Sequence, residues 1–526
     1  MAPFSNILFG IAFLMSTNVA AIDLRIDNIR LYQPNTQTFS EGSRLYIDNG
    51  KIIDVTSMQE TAKKTDDVVD ANNQYAVSGL IDLHVHLGAS GSNYSEFQYL
   101  PVKSHFNSNL YLGITNIVDL FSFEKTIEEA KNLKQTQAVP NFFYAGKLFT
   151  NPGGHGTQFG GSALEIAEDK DIEALWQEHI ALKPHLTKAV IETFGGQGES
   201  LTDSQLAELG KRSKEANLPY FVHVSTLEDA KRAIKAGATA LAHGINAEPI
   251  DDEFITLMKD NNVDYIPTLA VYLNHSEESN SHALSQQSHL LATVPDKLQH
   301  CLFDNVPKPS KWRENGWKNR HHGFNNIKLL HQAGITIGTG SDAGNPYTLH
   351  GAALHNEIAF LNKAGLSAGE VINAATVNGA KIIGQENSIG QLSQGFEASF
   401  ILLENNPLTD IKNLSQIQSV YKSGEIIDRK ALIKANQAII PAGKECNKAS
   451  VDTQAKNANS LIDDFNNETK WQAISDAMMG GKSNANLKQE NGDLEITATL
   501  GKATAFGAWA GSHLLFPTPI NAEEFQ

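Results

Sequence analysis

Two histidines separated by one residue, His84 and His86, stand at the end of an apolar run that starts near Ala76. Because side chains alternate along a β-strand, the two imidazoles would lie on the same face, where they can hold one metal ion. Such an apolar run is typical of a parallel strand covered on both faces, and its carboxyl end is where barrel enzymes keep their catalytic groups. Taken alone, the pair is equally compatible with a structural strand whose histidines are satisfied by hydrogen bonds.

Three more potential ligands follow other predicted strands. The eight predicted strands are Leu80–His86, Ile114–Leu120, Phe142–Phe149, Thr187–Phe194, Tyr220–His223, Ala240–His243, Asp264–Leu269 and Ile335–Ser341. His223 and His243 end the fifth and sixth strands, and Asp342 follows the eighth. Since the carboxyl ends of parallel strands meet at one face, these side chains should converge with the first histidine pair. Imidazoles and a carboxylate are suitable ligands for zinc or a similar divalent ion, so the sequence predicts a metal site.

Helical patterns separate these strands and predict an α/β fold, a TIM-type (β/α)8 barrel over residues 78–384. One helix, Thr226–Gly237, ends on the glycine expected after a helix C-terminus. The long gap between the seventh and eighth strands, Asn274–Asn326, is rich in His, Ser, Asn and Trp and predicts an insertion over the barrel mouth, a lid.

The segments on either side of the barrel alternate apolar and polar residues. Residues 22–77 contain a hairpin turn at Asp48–Gly50, and residues 385–440 show the same pattern. We therefore expect 22–77 and 385–440 to pair into a small composite β-sandwich domain. Residues 441–460 have the composition of a linker, and 461–526, with the Gly480-Gly481 turn, favour a β-rich C-terminal extension.

The composition describes a globular protein: 526 residues, 41% hydrophobic and 19% charged. A formal charge of -17 argues against nucleic acid as a partner, and no stretch is apolar for long enough to span a bilayer. The expected partner is a small-molecule or dipeptide substrate. The sequence is also compatible with a homo-oligomer.

The N-terminal residues 1–21 have the features of a signal peptide, an apolar run at Ile7–Met15 followed by small residues up to Ala21. This predicts an exported protein, periplasmic or secreted. No Lys or Arg precedes the run, so a buried N-terminal strand is the alternative. Cys301 and Cys446 lie near no metal-ligand spacing; export would permit a disulfide between them, but the sequence does not establish one.

The chain resembles the amidohydrolase superfamily. The resemblance lies in Gly79–His86, His223, His243 and Ser341-Asp342, and it extends from Leu24 to Arg429, including Thr376–Ala380 and Gly390–Ala398. Within that superfamily it is most similar to the imidazolonepropionase-like and prolidase-like metal hydrolases. The narrower likeness lies in Gly153–Gly156, Pro267–Leu269 and His350-Gly351.

The resemblance implies two divalent metal ions, zinc in the first instance, with a carboxylated lysine from the fourth strand as a bridging ligand. Lys188 matches that lysine in its position after Lys183-Pro184. Glu192 is the competitor, because a carboxylate serves at this strand in some members. By parity both side chains point to the same face of the strand, so the sequence leaves the choice open.

These ligands imply hydrolysis by a metal-activated hydroxide. Two cations sharing a water would lower its pKa, and Asp342 would accept its proton and pass it to the leaving nitrogen. The bond cleaved would be an amide, a cyclic amide or a dipeptide bond such as Xaa-Pro, with esters and lactones as alternatives in the same fold. His155, Tyr272 and His350 stand in loops where they are candidates to bind substrate, although each is also compatible with no role.

Two other functions are compatible with parts of the sequence. A deaminase of the same fold uses one metal and usually carries a Glu shortly after the fifth-strand histidine, where this chain has Val224–Thr226. The second is a non-catalytic assembly or binding protein. Leu461–Ser483 resembles the start of the complex I intermediate-associated protein family, a jelly-roll fold, although Ala477-Met478 replaces the expected residues. A defunct barrel would have lost ligands, and this sequence has lost none.

Overall fold

The structure is a computed structural model that describes residues 22–92, 98–157, 163–192, 199–274, 287–303 and 311–440, with five short strands between 442 and 514. The expected signal peptide (1–21) and most of the expected linker (441–460) lie outside the described residues. The same holds for Cys446, and therefore for its pairing with Cys301, and for Met479–Ser483.

The part of the chain up to residue 273 begins with eight strands and then alternates helices and strands. Its strands are β1 Ile22–Gln33, β2 Thr38–Phe39, β3 Ser43–Asp48, β4 Lys51–Ser57, β5 Thr65–Asp70, β6 Tyr75–Ser78, β7 Leu80–Val85, β8 Gln98–Tyr99, β9 Ile114–Asp119, β10 Asn141–Tyr144, β11 Phe149–Thr150, β12 Leu164–Glu165, β13 Thr187–Val190, β14 Tyr220–His223, β15 Ala240–Ala242 and β16 Asp264–Ile266. Its helices are α1 Val102–Tyr111, α2 Glu124–Thr136, α3 Ile172–Ala181, α4 Asp203–Glu215, α5 Leu227–Lys235, α6 Asp252–Asp260 and α7 Leu269–Leu273, with a 3-10 helix at Asp169–Asp171.

Helices predominate up to residue 382, after which strands return. The helices are α8 Ser288–Leu291, α9 Asp296–Phe303, α10 Lys311–Gln332, α11 Ala352–Lys363, α12 Ala368–Ala374, α13 Val377–Ile382 and α14 Arg429–Gln437, with a 3-10 helix at Ile411–Ser415. The strands are β17 Phe400–Leu403, β18 Ile417–Lys422, β19 Glu425–Ile426, β20 Ala442–Gly443, β21 Trp471–Ser475, β22 Asn484–Glu490, β23 Asp493–Thr499 and β24 Ala510–Leu514.

A nine-stranded sheet joins the two segments that flank the central region. Its order is β19-β18-β17-β6-β1-β3-β4, with β2 and β5 also paired to β1. β17 runs antiparallel to β6, with Ile401 opposite Val77. The register of β1 shifts between Ile26 and Ile29, and its two halves pair with different strands. A bulge of this kind bends a strand, and the bent sheet pairs the two flanking segments with each other; the sandwich arrangement stays a prediction.

The central region contains two parallel sheets. One has the order β10-β9-β7, and the other β12-β11-β13-β14-β15-β16. The predicted third strand is divided into β10 and β11, and the predicted eighth strand forms only isolated parallel bridges, Ile337 to Tyr265 and Ala343 to Val85. Those bridges place residues 335–343 between β7 and β16. A Cβ on Gly338 would stand 2.4 Å from Cδ1 of the buried Leu83 side chain, so a larger residue there would force that side chain to move.

Helices cover the outside of these sheets. Thr202 caps α4 by accepting a hydrogen bond from the Gln205 nitrogen, and Thr226 caps α5 in the same way at Asp229. The segment predicted as a lid contains α8, α9 and most of α10; its residues 275–286 and 304–310 are outside the described part. A continuous apolar core links these helices to the outer side chains of the strands.

The C-terminal extension contains antiparallel strand pairs, β21 with β24 and β22 with β23. A β-rich extension is what the sequence predicted for this segment. Throughout the described residues, none of the helices combines the length and the apolar character that crossing a bilayer requires.

Candidate metal centre

His84 lies in β7 and His86 directly follows it, and both side chains reach the same carboxylate. Its register against β9 shifts between Asp82 and Val85, and a bulge of this kind re-aims the side chains that follow it. Val85 packs into the helix-covered core, whereas the Nε2 atoms of His84 and His86 lie 3.3 and 2.9 Å from Oδ1 of Asp342. The potential ligand atoms of these three residues all lie within 4.8 Å of one another. They form the centre of the candidate site.

Asp342 reaches this position through an unusual backbone. Its φ is +57°, in the left-handed region that non-glycine residues rarely adopt, and its nitrogen donates to the His84 carbonyl at 2.7 Å. Nearby, Gly344 has φ +111°, and a Cβ there would stand 2.6 Å from the His86 carbonyl oxygen. Backbone strain of this kind concentrates at functional sites when the surrounding contacts impose it.

His243 also departs from regular strand geometry. Its φ is +85°, directly after Ala242, which packs among the strand side chains. The Nδ1 atom lies 2.7 Å from the Thr268 hydroxyl and 3.9 Å from Oδ2 of Asp342. Its ring centroid lies 4.7 Å from that of His84. The sixth-strand histidine therefore joins the cluster, held by a threonine that follows the seventh strand.

His223 and Glu192 form a pair beside the cluster. The His223 ring lies 4.5 Å from the His243 ring, and its Nε2 is 3.3 Å from a carboxylate oxygen of Glu192. The other Glu192 oxygen accepts from the Ser225 hydroxyl at 3.1 Å. The competitor for the fourth-strand ligand is thus engaged with a histidine and a hydroxyl in this structure.

Lys188 lies within β13 and is almost completely buried, with 2% exposed. Its Nζ has no hydrogen-bond partner among the described residues. Burial lowers the pKa of Lys188 to about 7, which the Asp342 carboxylate partly opposes. Burying an amine without a hydrogen-bond partner costs free energy. We therefore expect a further group to bind or modify the Nζ atom of Lys188.

The residues present fit a divalent cation. Burial is the largest cause that lowers the pKa values of His84 and His243 well below the usual range, so both imidazoles are neutral. A neutral imidazole is the form that binds metal. The Nδ1 atoms of His84 and His86 are also buried without a partner among the described residues. This donor set, two imidazoles and a carboxylate with two more imidazoles beside them, suits zinc and similar ions.

The three candidate substrate residues take different positions. The half-buried His155 ring stacks on His223 at 5.0 Å, and the Tyr272 ring lies 6.3 Å from His243. His350 is buried: its Nε2 bonds the Ala89 carbonyl oxygen at 2.9 Å, and its ring packs against another buried histidine. His155 and Tyr272 therefore border the cluster, while His350 belongs to the wall behind it.

Sequence reasoning missed the residues that hold the cluster. Asp82 is fully buried and accepts hydrogen bonds from the backbone nitrogens of His84 and Ser341. A carboxyl inside an apolar run was a signal available in the sequence. Thr268 lies within Pro267–Leu269, and no local pattern indicates its contact with His243.

Known proteins are similar to this chain over the region that contains the candidate metal centre. A family model described as "Amidohydrolase family" matches residues 75–427. The ochratoxinase of Aspergillus niger is 25% identical over 393 residues, 66% of this chain and 74% of that protein. An imidazolonepropionase from Clostridium tetani is 20% identical over 415 residues, 74% of this chain and 92% of the relative. A solved Xaa-Pro dipeptidase with bound methionine shares the fold, with a TM-score of 0.63 and 21% identity over 77% of this chain and 99% of the other.

Proposed function

Because the chain belongs to the amidohydrolase family, we propose that it hydrolyses an amide, cyclic amide or dipeptide bond at the centre formed by His84, His86 and Asp342. Its relatives are hydrolases that act on carbon–nitrogen bonds, and it is an enzyme of that class. The observation that carries the proposal is the convergence of three buried or half-buried ligand groups, within 4.8 Å, at the carboxyl ends of parallel strands.

The chemistry follows from the positions of the side chains. A divalent ion held by His84, His86 and Asp342 would polarise the substrate carbonyl and lower the pKa of a water. Asp342, beside both histidines, accepts one proton from the water. The hydroxyl that remains bonds to the acyl carbon, the carbon–nitrogen bond breaks, and Asp342 returns the proton to the leaving nitrogen. The products are a carboxylic acid and an amine, and the carboxylate is regenerated.

We also propose two zinc ions, with Lys188 carboxylated as the bridge. Carbamate formation needs a neutral amine to bond to CO2 with loss of one proton, and a lysine whose pKa is about 7 has a substantial neutral fraction at neutral pH. The resulting carboxylate would give the buried Nζ the partner that it lacks among the described residues. His223 and His243 would serve the second ion. Glu192 remains the alternative, although its carboxylate already contacts His223.

The two parallel sheets are proposed to be parts of one closed (β/α)8 barrel. Backbone hydrogen bonds support closure on both sides. The Leu83 nitrogen donates to the Thr339 oxygen and the Gly338 nitrogen to the Tyr265 oxygen, while the His185 nitrogen donates to the Tyr144 oxygen, at 2.9 to 3.0 Å. A closed barrel brings the ends of non-adjacent strands together, which the site requires. We further propose export directed by residues 1–21; N-terminal sequencing of the mature chain should then start near residue 22.

The experiment that tests this function uses the purified protein loaded with zinc. It should hydrolyse at least one member of a panel of N-acyl amino acids, Xaa-Pro dipeptides, cyclic imides and lactones. Separate assays for the new carboxylic acid, for released amine and for ammonia identify the bond that is broken, because opening a cyclic imide or a lactone releases neither amine nor ammonia. Release of ammonia from a purine or nucleoside, with one tightly held ion and no hydrolysis of the panel, would instead establish the deaminase alternative.

A further inference from the structure

A buried glutamate on a helix outside the metal cluster contacts the segment that holds His243. Glu357 lies in α11 and is 0% exposed. Its Oε2 accepts a hydrogen bond of 2.8 Å from the nitrogen of Ala270, in the first turn of α7. The first nitrogens of a helix have no partner within the helix, so Glu357 supplies from another helix the acceptor that α7 itself lacks.

The residue just before α7 is Thr268, which caps no nitrogen of α7 with its own side chain. Thr268 has φ +47° and ψ +45°, a conformation that is unfavourable for a β-branched residue and persists only where its surroundings impose it. In that conformation its hydroxyl lies 2.7 Å from Nδ1 of His243. The contact therefore depends on what fixes the start of α7.

Retaining a carboxyl at this position is costly. Burial raises the pKa of Glu357 to about 8, opposed by hydrogen bonds from the nitrogens of Ala270 and Leu269. Its Oε1 has no partner among the described residues, and apolar neighbours on the same helix, Leu354 and Ile358, are fully or almost fully buried. A leucine would avoid the cost of a buried carboxyl but would leave the Ala270 nitrogen without its acceptor, so the acceptor is the property that distinguishes glutamate here.

We propose that Glu357 is a positioning residue: it holds the N-terminus of α7 so that the Thr268 hydroxyl orients His243. When that hydroxyl accepts from Nδ1–H, the Nε2 lone pair of His243 is free for a metal. This role rests on the proposed function, since it presumes that His243 binds metal. Tyr272, on α7 itself, is positioned by the same contact.

The test uses the full-length protein and Co²⁺ as the probe, with the dissociation constant and the visible absorption spectrum as readouts. Glu357→Leu and Thr268→Val should each weaken Co²⁺ binding about tenfold or more, the range for residues that orient a ligand. The double variant should be no weaker than the weaker single variant, because both act on one contact. Glu357→Gln keeps an acceptor oxygen and should bind within about twofold of the wild type. Glu357→Asp shortens the side chain by one methylene, which moves the acceptor oxygen away from the Ala270 nitrogen. This variant should bind Co²⁺ more weakly than Glu357→Gln.

The control is Leu361→Ala, a core truncation on the same helix that should lower thermal stability while leaving the Co²⁺ spectrum unchanged. Wild-type affinity in Glu357→Leu, or in Glu357→Asp if the leucine variant does not fold, overturns the inference. The inference is also overturned if the losses of Co²⁺ affinity in Glu357→Leu and Thr268→Val add up in the double variant. An equal loss of affinity in Leu361→Ala would overturn it as well. Failure of the proposed function looks different: the wild type would not bind Co²⁺, or His84→Ala would bind it unchanged.

Discussion

The carboxyl group of Asp82 accepts hydrogen bonds from both the backbone nitrogen and the hydroxyl of Ser341, at 2.9 and 2.5 Å. It also accepts from the nitrogen of His84 at 3.2 Å. Asp82 thereby joins the segment that carries His84 and His86 to the segment that carries Asp342. Burial raises the pKa of Asp82 to about 7, and these hydrogen bonds oppose the rise.

Removing this connection should loosen the metal centre. Asp82→Ala leaves the nitrogens of Ser341 and His84 buried without an acceptor, at a cost of about 1–3 kcal/mol of unfolding free energy for each lost partner. Metal affinity should fall about 10- to 100-fold. Urea unfolding and metal titration measure the two effects. Ser341→Ala removes only the hydroxyl and should cost less on both measures; equal losses in the two variants would count against the joining role of Asp82.

If the proposed two-ion centre is correct, the number of bound ions should depend on Lys188. Lys188→Met should then reduce the bound zinc from two ions per chain to one and lower the hydrolysis rate at least tenfold, because the proposed bridging ligand is lost. Elemental analysis after gel filtration gives the stoichiometry. Glu192→Gln is the matched control and should retain two ions. If Lys188→Met keeps both ions while Glu192→Gln loses one, the fourth-strand ligand is Glu192.

Glu357 should make the stability of the metal-free protein depend on pH. Its pKa of about 8 in the folded chain lies above the usual 4.5, so between these values the folded state holds a proton that the unfolded state releases. Stability from this group is therefore complete below about pH 4.5 and is lost as the pH rises through 8. Glu357→Gln does not titrate and should lose less stability over that range. Denaturation midpoints at several pH values, compared between the two proteins, measure the difference; parallel curves would show that Glu357 titrates normally.

A buried ion pair connects the bent sheet to the central region. Lys422 is 7% exposed, and its Nζ lies 2.5 Å from Oε1 of Glu397 and 3.2 Å from Oδ1 of Asn141, the first residue of β10. Lys422→Met should destabilise the protein by about 3 kcal/mol because a largely buried carboxylate loses its cation and keeps only neutral hydrogen-bond donors. Adding Glu397→Gln should recover much of that loss in urea unfolding. Lys63→Met, which removes an exposed pair with Asp54, should cost less than about 1 kcal/mol.

The approximate positions of the site residues follow from the sequence because strand ends are readable. The strands predicted to end at His86, His223 and His243 have observed ends within one residue of those positions. Parallel strands then bring their carboxyl ends to one face, and the structure does bring these histidines together with Asp342. Their roles as ligands remain predictions.

The supporting contacts could not be read in the same way. Strict alternation does not predict the bulge in β7 or the positive φ of His243, because both arise from packing against neighbouring strands. Glu357 acts across 87 residues of sequence on Ala270, a distance that no local pattern encodes. The predicted eighth strand pairs only through isolated bridges, in a segment where glycines permit close approach instead of a regular ladder.

The central claim is that His84, His86 and Asp342 bind the metal on which hydrolysis depends. The most direct measurement is the zinc content of the His84→Ala variant together with its activity on the substrate that the wild type cleaves. The matched control is His321→Ala, since His321 is an exposed histidine on α10. We expect His84→Ala to lose at least one zinc ion per chain and at least 100-fold in activity, with the control unchanged. Full zinc content and full activity in His84→Ala would contradict the claim.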